Sequence, residues 1–362
     1  ITFWGLILFV GSIVFSFLSG HLQIFGFLLI FVVIYIFFRV KSAKWVTFAF
    51  LLILSLGISA IQLLPTLELI NLSARTPQAY DFLINKLLLQ PWQLIVFLSP
   101  DFFGNPATRN YLISDTYPGN AVYIGLIPFI FTFFAIVGFK KDYFIRFFLI
   151  ASIFLLILFL RTPFTEIFYH LQIPFFSTGS PTNAIFLLSF CLSILSGIGI
   201  DKYLQGNQKF YKLILASLLS LFILVWLIII IFHPTIISPR NFLYSTGILT
   251  IFVSLFFIKK KKVVIFLFTL ITIFDLFYFF QKFNPFVPRE LIFPEAKIFT
   301  YLAENAGINR FWGYGTASVE ANFTTQDKLF SPDGYDPLYP KRYGEFIQSS
   351  KDGKIQKEFT NQ

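Results

Sequence analysis

The stretch SLFFIKKKKVVIFLF, residues 254–268, shows the pattern that decides the fold: four consecutive lysines stand between two apolar runs. Three further groups of Lys and Arg stand between apolar runs in the same way, at residues 39–44, 140–146 and 202–212. These four basic groups account for the net charge of +10, so the rest of the chain is almost neutral. Two apolar runs separate each group from the next, so all four lie on one side of a bilayer if every run crosses it. Because Lys and Arg in short loops stay on the cytoplasmic side, the pattern predicts a polytopic membrane protein.

The composition indicates the same class of protein. Of the 362 residues, 56% are hydrophobic and 13% are charged, and the mean hydropathy is +0.76. Soluble domains have about 25% charged residues. Since the positive charge lies in loops beside membrane helices, it predicts contacts with membrane lipids and gives no indication of nucleic-acid binding.

Nine apolar stretches are long enough to cross the bilayer as helices, because a spanning helix needs about 20 residues and an open strand leaves backbone groups unsatisfied. They are predicted at about residues 2–18, 22–38, 45–64, 121–138, 144–160, 183–199, 210–232, 242–258 and 263–280. With the basic groups inside, the chain starts in the cytoplasm and everything after residue 281 lies outside. The fold class predicted is an all-α membrane protein, with nine spans in residues 1–281.

The tail, residues 282–362, has an ordinary soluble composition. It predicts a second, extracytoplasmic domain of partial α+β type. A helix is expected at 294–306, which has a proline at its start and a glycine after its end. A short strand is expected at 310–314.

A long outward loop, residues 65–120, is too long for a simple connector and therefore indicates a functional segment. Its apolar piece at 87–98, interrupted by Pro91, is too short to span and predicts an interfacial or re-entrant helix.

Asp101 follows in the turn SPDFFGNP, residues 99–106. A carboxylate held above an apolar floor is suited to take a proton from a hydroxyl, which makes Asp101 a candidate catalytic base. The alternative is an Asx turn, in which the side chain bonds only its own backbone.

Further polar residues lie at the outward ends of the predicted helices. Those that predict contacts with substrate or phosphate are His21, Gln23, Gln62, Arg75, Asn105, Arg109, Arg161 and His170. Glu68 is the second candidate catalytic carboxylate. If the helix resumes after Pro65, Glu68 and Arg75 share a face, and the arginine can grip a phosphate with two hydrogen bonds. A plain surface pair is the alternative.

Two other features concern acids and metals. Asp275 lies within a predicted span, where an acid favours a functional role, although its position also allows snorkelling to the interface. Nitrogen and oxygen ligands from His21, His170, Glu68 and Asp101 suit a divalent cation. No ligand spacing supports such a site, so no metal ligand is assigned and the cofactor stays open.

Several stretches together resemble the bacterial YfhO membrane-protein family. They are GHLQ (20–23), AIQLLPTLEL (60–69) with Ser73 and Arg75, SPDFFGNP (99–106), YIGL (123–126), Pro181, GIGID (197–201) and GYD (334–336). The resemblance implies a GT-C-type glycosyltransferase of the bacterial plasma membrane. Such an enzyme moves a sugar from a polyprenyl-phosphate carrier to an envelope polymer, such as a teichoic acid, on the outer face.

Family members usually carry their catalytic carboxylate in an earlier outward loop. Because the chain contains no methionine, it is predicted to be a fragment that lacks the N-terminal part and this loop. Two other function classes stay open from the sequence: a transporter or flippase for lipid-linked sugars, and a non-catalytic envelope scaffold.

Overall fold

The computed structural model describes residues 2–74, 79–113, 117–173, 175–206, 208–232, 237–284, 286–292, 296–313, 319, 322–332, 334, 336 and 338–352. These residues are mostly helical. Within them there is no extended strand, and three isolated bridges are the only β pairing. The chain divides into two compact units. Unit 1 comprises Ile1–Ser59 and Pro77–Pro285, and unit 2 comprises Ala60–Thr76 and Phe286–Gln362.

The α-helices follow one another with short 3₁₀ turns between several of them. In chain order they are α1 (Phe3–Leu18), α2 (Leu22–Arg39), α3 (Trp45–Ile58), α4 (Ala60–Leu72), α5 (Tyr80–Phe82), α6 (Leu126–Phe134), α7 (Tyr143–Phe159), α8 (Pro163–His170), α9 (Ile185–Gln205), α10 (Gln208–Phe232), α11 (Ile237–Phe256), α12 (Lys261–Phe283), α13 (Lys297–Asn305) and α14 (Lys341–Asp352). Helices α4, α13 and α14 belong to unit 2.

The helices are those of a membrane protein, but the predicted count of nine spans is wrong. Among the described residues, four segments are long and apolar enough to cross a bilayer: Leu22–Arg39, Pro181–Gln205, Phe210–Phe232 and Lys261–Lys282. A fifth results if the consecutive segments Ser42–Ile58 and Ala60–Leu72 are counted as one broken span. The apolar helices α1, α6 and α7 are shorter than 18 residues.

Helix boundaries explain two of the predicted spans that are missing from this set. The predicted span at 45–64 is interrupted because α3 ends at Ile58 and a new helix starts at Ala60. The predicted span at 121–138 loses its first residues because α6 begins only at Leu126, after Gly125 with φ 92°. A left-handed backbone conformation of this kind ends regular helical hydrogen bonding. In these two places the apolar run is longer than the helix inside it.

The segment at 87–98, predicted to form an interfacial or re-entrant helix, is helical only in short turns. The segment forms a π-helical turn, Leu83–Leu87, and a 3₁₀ helix, Pro91–Phe97. Between the two turns, the Leu89 N–H donates to Phe159 O (2.9 Å), and its carbonyl accepts from Arg161 N–H (2.8 Å). The side chains of Leu89 and Phe97 lie in the protein core. Trp92 of the same segment is exposed, and an interfacial or re-entrant position stays a prediction.

Close packing of α6 on α9 forms the centre of unit 1. Gly199 of α9 lies so near α6 that an added Cβ would come 1.8 Å from the carbonyl oxygen of Phe131. Small residues allow helices in membranes to approach in this way. Large aromatic side chains then fill the surrounding core, among them Phe131 and Phe134, both fully buried.

Contacts join the basic groups at one end of unit 1. The Lys261 ammonium donates to the Tyr203 hydroxyl (2.6 Å), which links the group at 259–262 to the one at 202–212. The side chain of Lys202 approaches Gly138, where an added Cβ would lie 3.4 Å from its Cε atom. The ring centroids of Phe38 and Tyr143 lie 5.5 Å apart, and this contact brings the group at 39–44 beside the group at 140–146.

Helix α12 leads from this basic end to the other end of unit 1. From Lys261 to Lys282 the helix rises about 32 Å, close to the roughly 30 Å thickness of a bilayer core. Lys282 contacts Asp101, so the turn at 99–106 lies at the end opposite the basic groups.

Unit 2 contains no described strand, so the predicted α+β fold is wrong for the residues described. The predicted strand at 310–314 is one bridge, in which Phe311 N–H donates to Phe330 O (3.1 Å), and Tyr314 lies outside the described residues. The helix expected at 294–306 is present as α13. Residues 60–74 join this unit because Ala74 N–H donates to Tyr339 O (3.0 Å).

Candidate functional site

A cavity of about 80 Å³ opens at the end of unit 1 that lies opposite the basic groups. Its walls come from the turn at 99–101, the start of α11 and the last turns of α12. Two acids and two cations line it, namely Asp101, Asp275, Arg240 and Lys282.

Asp101 is held by its own turn. Gly104 has φ 90°, and an added Cβ there would lie 2.0 Å from the Asn110 carbonyl oxygen, so only glycine fits. The Asn105 amide donates from Nδ2 to Asp101 Oδ1 (3.0 Å), and the Tyr117 hydroxyl donates to the same oxygen (3.0 Å). The Asx turn considered for Asp101 is formed by Asn105, whose Oδ1 accepts from Ala107 N–H (2.9 Å).

The other oxygen of Asp101 is paired with a cation. Lys282 Nζ lies 3.0 Å from Asp101 Oδ2, across 181 positions of sequence. The same ammonium lies 3.9 Å from the centre of the Tyr278 ring, a cation–π distance. The carboxylate is therefore surrounded by one cation and two donors, and not by the apolar floor that the sequence predicted.

Backbone contacts fix this turn to α11. The Asn241 amide donates to the backbone oxygen of Asp101, and the Ser99 hydroxyl donates to Asn241 O (3.3 Å). Arg240 precedes Asn241 in the first turn of α11, and its side chain is exposed. Arg240 takes part in neither of the two ion pairs found among the described residues.

Asp275 lies deeper, on α12, and is only 2% exposed. Its Oδ2 accepts from the Tyr123 hydroxyl (2.7 Å) and from Leu126 N–H (3.0 Å), and its Oδ1 accepts from the Tyr244 hydroxyl (3.3 Å). Leu126 N–H is the first of α6, a group that has no partner within its own helix. Asp275 thus supplies the cap for α6, and the snorkelling alternative is wrong.

Tyr117 acts as a donor at this site. Burial, together with the negative charge of the neighbouring Asp101, raises the pKa of Tyr117 well above its usual range. The hydroxyl therefore keeps its proton at neutral pH and donates to the carboxylate.

The remaining predicted residues of unit 1 lie apart from the cavity lining. His21 begins α2, where its Nδ1 accepts from Ile24 N–H (3.3 Å). Gln23 accepts from Asn183 Nδ2 (2.8 Å), which ties α2 to the turn before α9. His21 therefore caps the start of α2, and Gln23 holds the turn that precedes α9.

The two predicted arginines in the described part of unit 1 do not line the cavity. Arg161 pairs with Glu166 (2.8 Å) and donates to Asn85 Oδ1 (2.8 Å). Arg109 is exposed, with φ 53°, at the end of a short turn. His170 is exposed and packs edge-on against Tyr80 at 5.1 Å.

Gln62 and Glu68 are exposed on α4 in unit 2, where Gln62 Nε2 donates to Thr66 Oγ1 (3.2 Å). Arg75 lies outside the described residues, so its pairing with Glu68 stays a prediction. Among the described candidates, Asp101 and Asn105 are the two that share a hydrogen bond.

Sequence reasoning missed Lys282 and Tyr117. One signal was available for Lys282: it follows Asp275 by seven residues, and this spacing puts both on one face of a helix.

No group of three His, Cys, Asp or Glu residues that could hold a metal ion occurs in the described part of the chain. The chain matches no family model, no curated protein and no solved structure.

Proposed function

We propose that the chain is part of a GT-C-type glycosyltransferase, which moves a sugar from a polyprenyl-phosphate carrier to an envelope polymer on the outer face of the bacterial plasma membrane. The observation that carries the proposal is the cavity of unit 1, where the Asp101 carboxylate and two cations share one space. The resemblance to the YfhO family supplies the reaction class.

The chemistry of such a transfer needs a base and a group that stabilises negative charge. The acceptor hydroxyl loses its proton to Asp101 as its oxygen bonds to the sugar carbon, and the bond from that carbon to the phosphate oxygen breaks. The departing phosphate gains negative charge, and Arg240 is placed to stabilise it. We assign the role of base to Asp101, and Glu68, on α4 in unit 2, stays the second candidate.

The test is transfer of a labelled sugar from its polyprenyl-phosphate carrier by the purified chain in detergent. Asp101→Asn keeps the size and one acceptor oxygen of the side chain but removes the base. Loss of a general base lowers turnover by about 10²–10⁴-fold. Asp142→Asn, at the opposite end of unit 1, is the matched control and leaves turnover unchanged. Equal turnover in the two variants would remove Asp101 from the mechanism.

A second candidate is a non-catalytic envelope scaffold. It is favoured by the ion pair and the two hydrogen bonds that already engage Asp101, because a fully paired carboxylate also serves to hold a turn on α12. This candidate predicts no sugar transfer by the wild-type chain and a lower unfolding temperature for Asp101→Asn.

A further inference from the structure

The cavity is too small for a whole lipid-linked sugar. Pockets for drug-sized ligands measure about 300–1,000 Å³, whereas this one measures about 80 Å³. A single small polar group fits such a space. The group that enters is therefore one end of a larger molecule or a small free ion.

The two cations in the walls can bind an anion, provided that one ion pair opens. Asp101 and Lys282 neutralise each other, and three hydrogen-bond donors engage Asp275. Arg240 is left as the exposed cation of the lining. A guanidinium binds phosphate oxygens through two parallel hydrogen bonds, and an ammonium binds them as a point charge.

Lys282 is the more exposed partner of its ion pair. Its side chain is 25% exposed, against 9% for Asp101, and it reaches the cavity on a flexible four-carbon stem. Asp101 is fixed by Asn105 and Tyr117, which continue to donate to it if the ammonium moves away. The Tyr278 ring supports the ammonium independently of Asp101.

We propose that the cavity binds a phosphate ester or phosphate ion between Arg240 and Lys282, and that Lys282 leaves Asp101 to pair with this anion. The proposal rests on the proposed function only for the expectation that a phosphate reaches this site. No covalent bond changes in the exchange. Its result is that Asp101 loses its cation when the anion arrives, so the carboxylate is released for proton transfer only in the occupied site.

The exchange has an unusual consequence for affinity. Asp101 competes with the anion for Lys282, so removing the negative charge of Asp101 tightens binding. The tightening acts through Lys282 and disappears when that lysine is absent. A general loss of negative charge would tighten binding whether or not the lysine is present.

A double-mutant cycle on the purified full chain in detergent tests the proposal. The probes are polyprenyl phosphate and inorganic phosphate, and the readout is the dissociation constant from native mass spectrometry or thermophoresis. Asp101→Asn is expected to tighten binding at least tenfold, and Lys282→Met to weaken it at least tenfold. The double variant is expected to bind as weakly as Lys282→Met alone. Lys282→Arg retains the cation and is expected to bind like wild type.

Two outcomes overturn the exchange: unchanged affinity in Lys282→Met, or equal tightening by Asp101→Asn with and without Lys282. The two probes identify the source of the anion. The predicted pattern with both probes indicates a phosphate site in general, and the pattern with polyprenyl phosphate alone indicates a lipid headgroup. Because binding is measured without acceptor or turnover, an intact pattern with no sugar transfer would refute the proposed function and leave this proposal standing.

Discussion

Gly199 shows at the residue scale how a missing side chain sets the distance between two helices. The backbone of α6 occupies the space where a Cβ would be, with Phe131 O at 1.8 Å. Two positions earlier on the same helix, Gly197 has no atom within 4 Å of an added Cβ. Two glycines in one short motif therefore have different roles.

This difference gives a matched pair of substitutions. Gly199→Ala forces α6 and α9 apart, and overpacking of this kind costs about 1–3 kcal/mol. Gly197→Ala fills open space and gains up to about 1 kcal/mol from helix propensity. Unfolding in detergent, followed by tryptophan fluorescence, should give a lower midpoint for Gly199→Ala and an equal or higher one for Gly197→Ala. The reverse order would contradict the packing described.

Residue identities could be predicted from sequence where the signal is local. Asp101 stood out because prolines and a glycine surround it within a few positions. Lys282 did not, because its partner lies 181 positions away and no local pattern shows which helix end meets which turn. The surroundings of Asp101 were mispredicted for the same reason. The apolar residues at 87–98 gave no indication that Lys282, Asn105 and Tyr117 contact its carboxylate.

At the scale of elements, α6 depends on another helix for its start. Its first N–H group bonds to Asp275 of α12, and Gly125 before it supplies no side chain that could cap the helix. The apolar stretch at 121–138 predicted that a helix lies in this region. It could not predict where the helix begins, since the cap comes from a residue 149 positions later in the chain.

Substitution of Asp275 measures this dependence. Asp275→Ala leaves the buried Tyr123 hydroxyl and the Leu126 N–H without their acceptor, at about 1–3 kcal/mol for each unsatisfied group. The free energy of unfolding in detergent should fall by that order. Thr269→Ala is the control on the same helix, because the Thr269 hydroxyl bonds only to its own helix at Ile265 O (2.9 Å). Equal effects of the two substitutions would show that the cap contributes nothing.

At the scale of the whole molecule, the proposed orientation rests on the four basic groups. Their joining at one end of unit 1 agrees with a common cytoplasmic location, which charge patterning alone predicted. The number of spans was overestimated in part because charge and hydropathy do not mark where a helix begins and ends. The grouping of residues 60–76 with the C-terminal residues had no sequence signal, since the contacts that produce it link positions far apart.

Cysteine labelling of intact cells tests this orientation. The chain has one native cysteine, Cys191, which is buried and gives a low background. A membrane-impermeant maleimide should label Arg109→Cys in intact cells and Lys260→Cys only after permeabilisation. Labelling of Lys260→Cys from outside would place the cavity in the cytoplasm and refute the proposed function.

The hydrogen bond between Leu126 and Asp275 also has a consequence for how the chain is made. A ribosome adds about 5–20 residues per second, so the 149 positions between these residues correspond to a delay on the order of 10 s. During that interval the first turn of α6 has no partner for its leading N–H group. A nascent chain halted before Asp275 would carry this defect permanently, which would mark it for degradation by quality-control proteases.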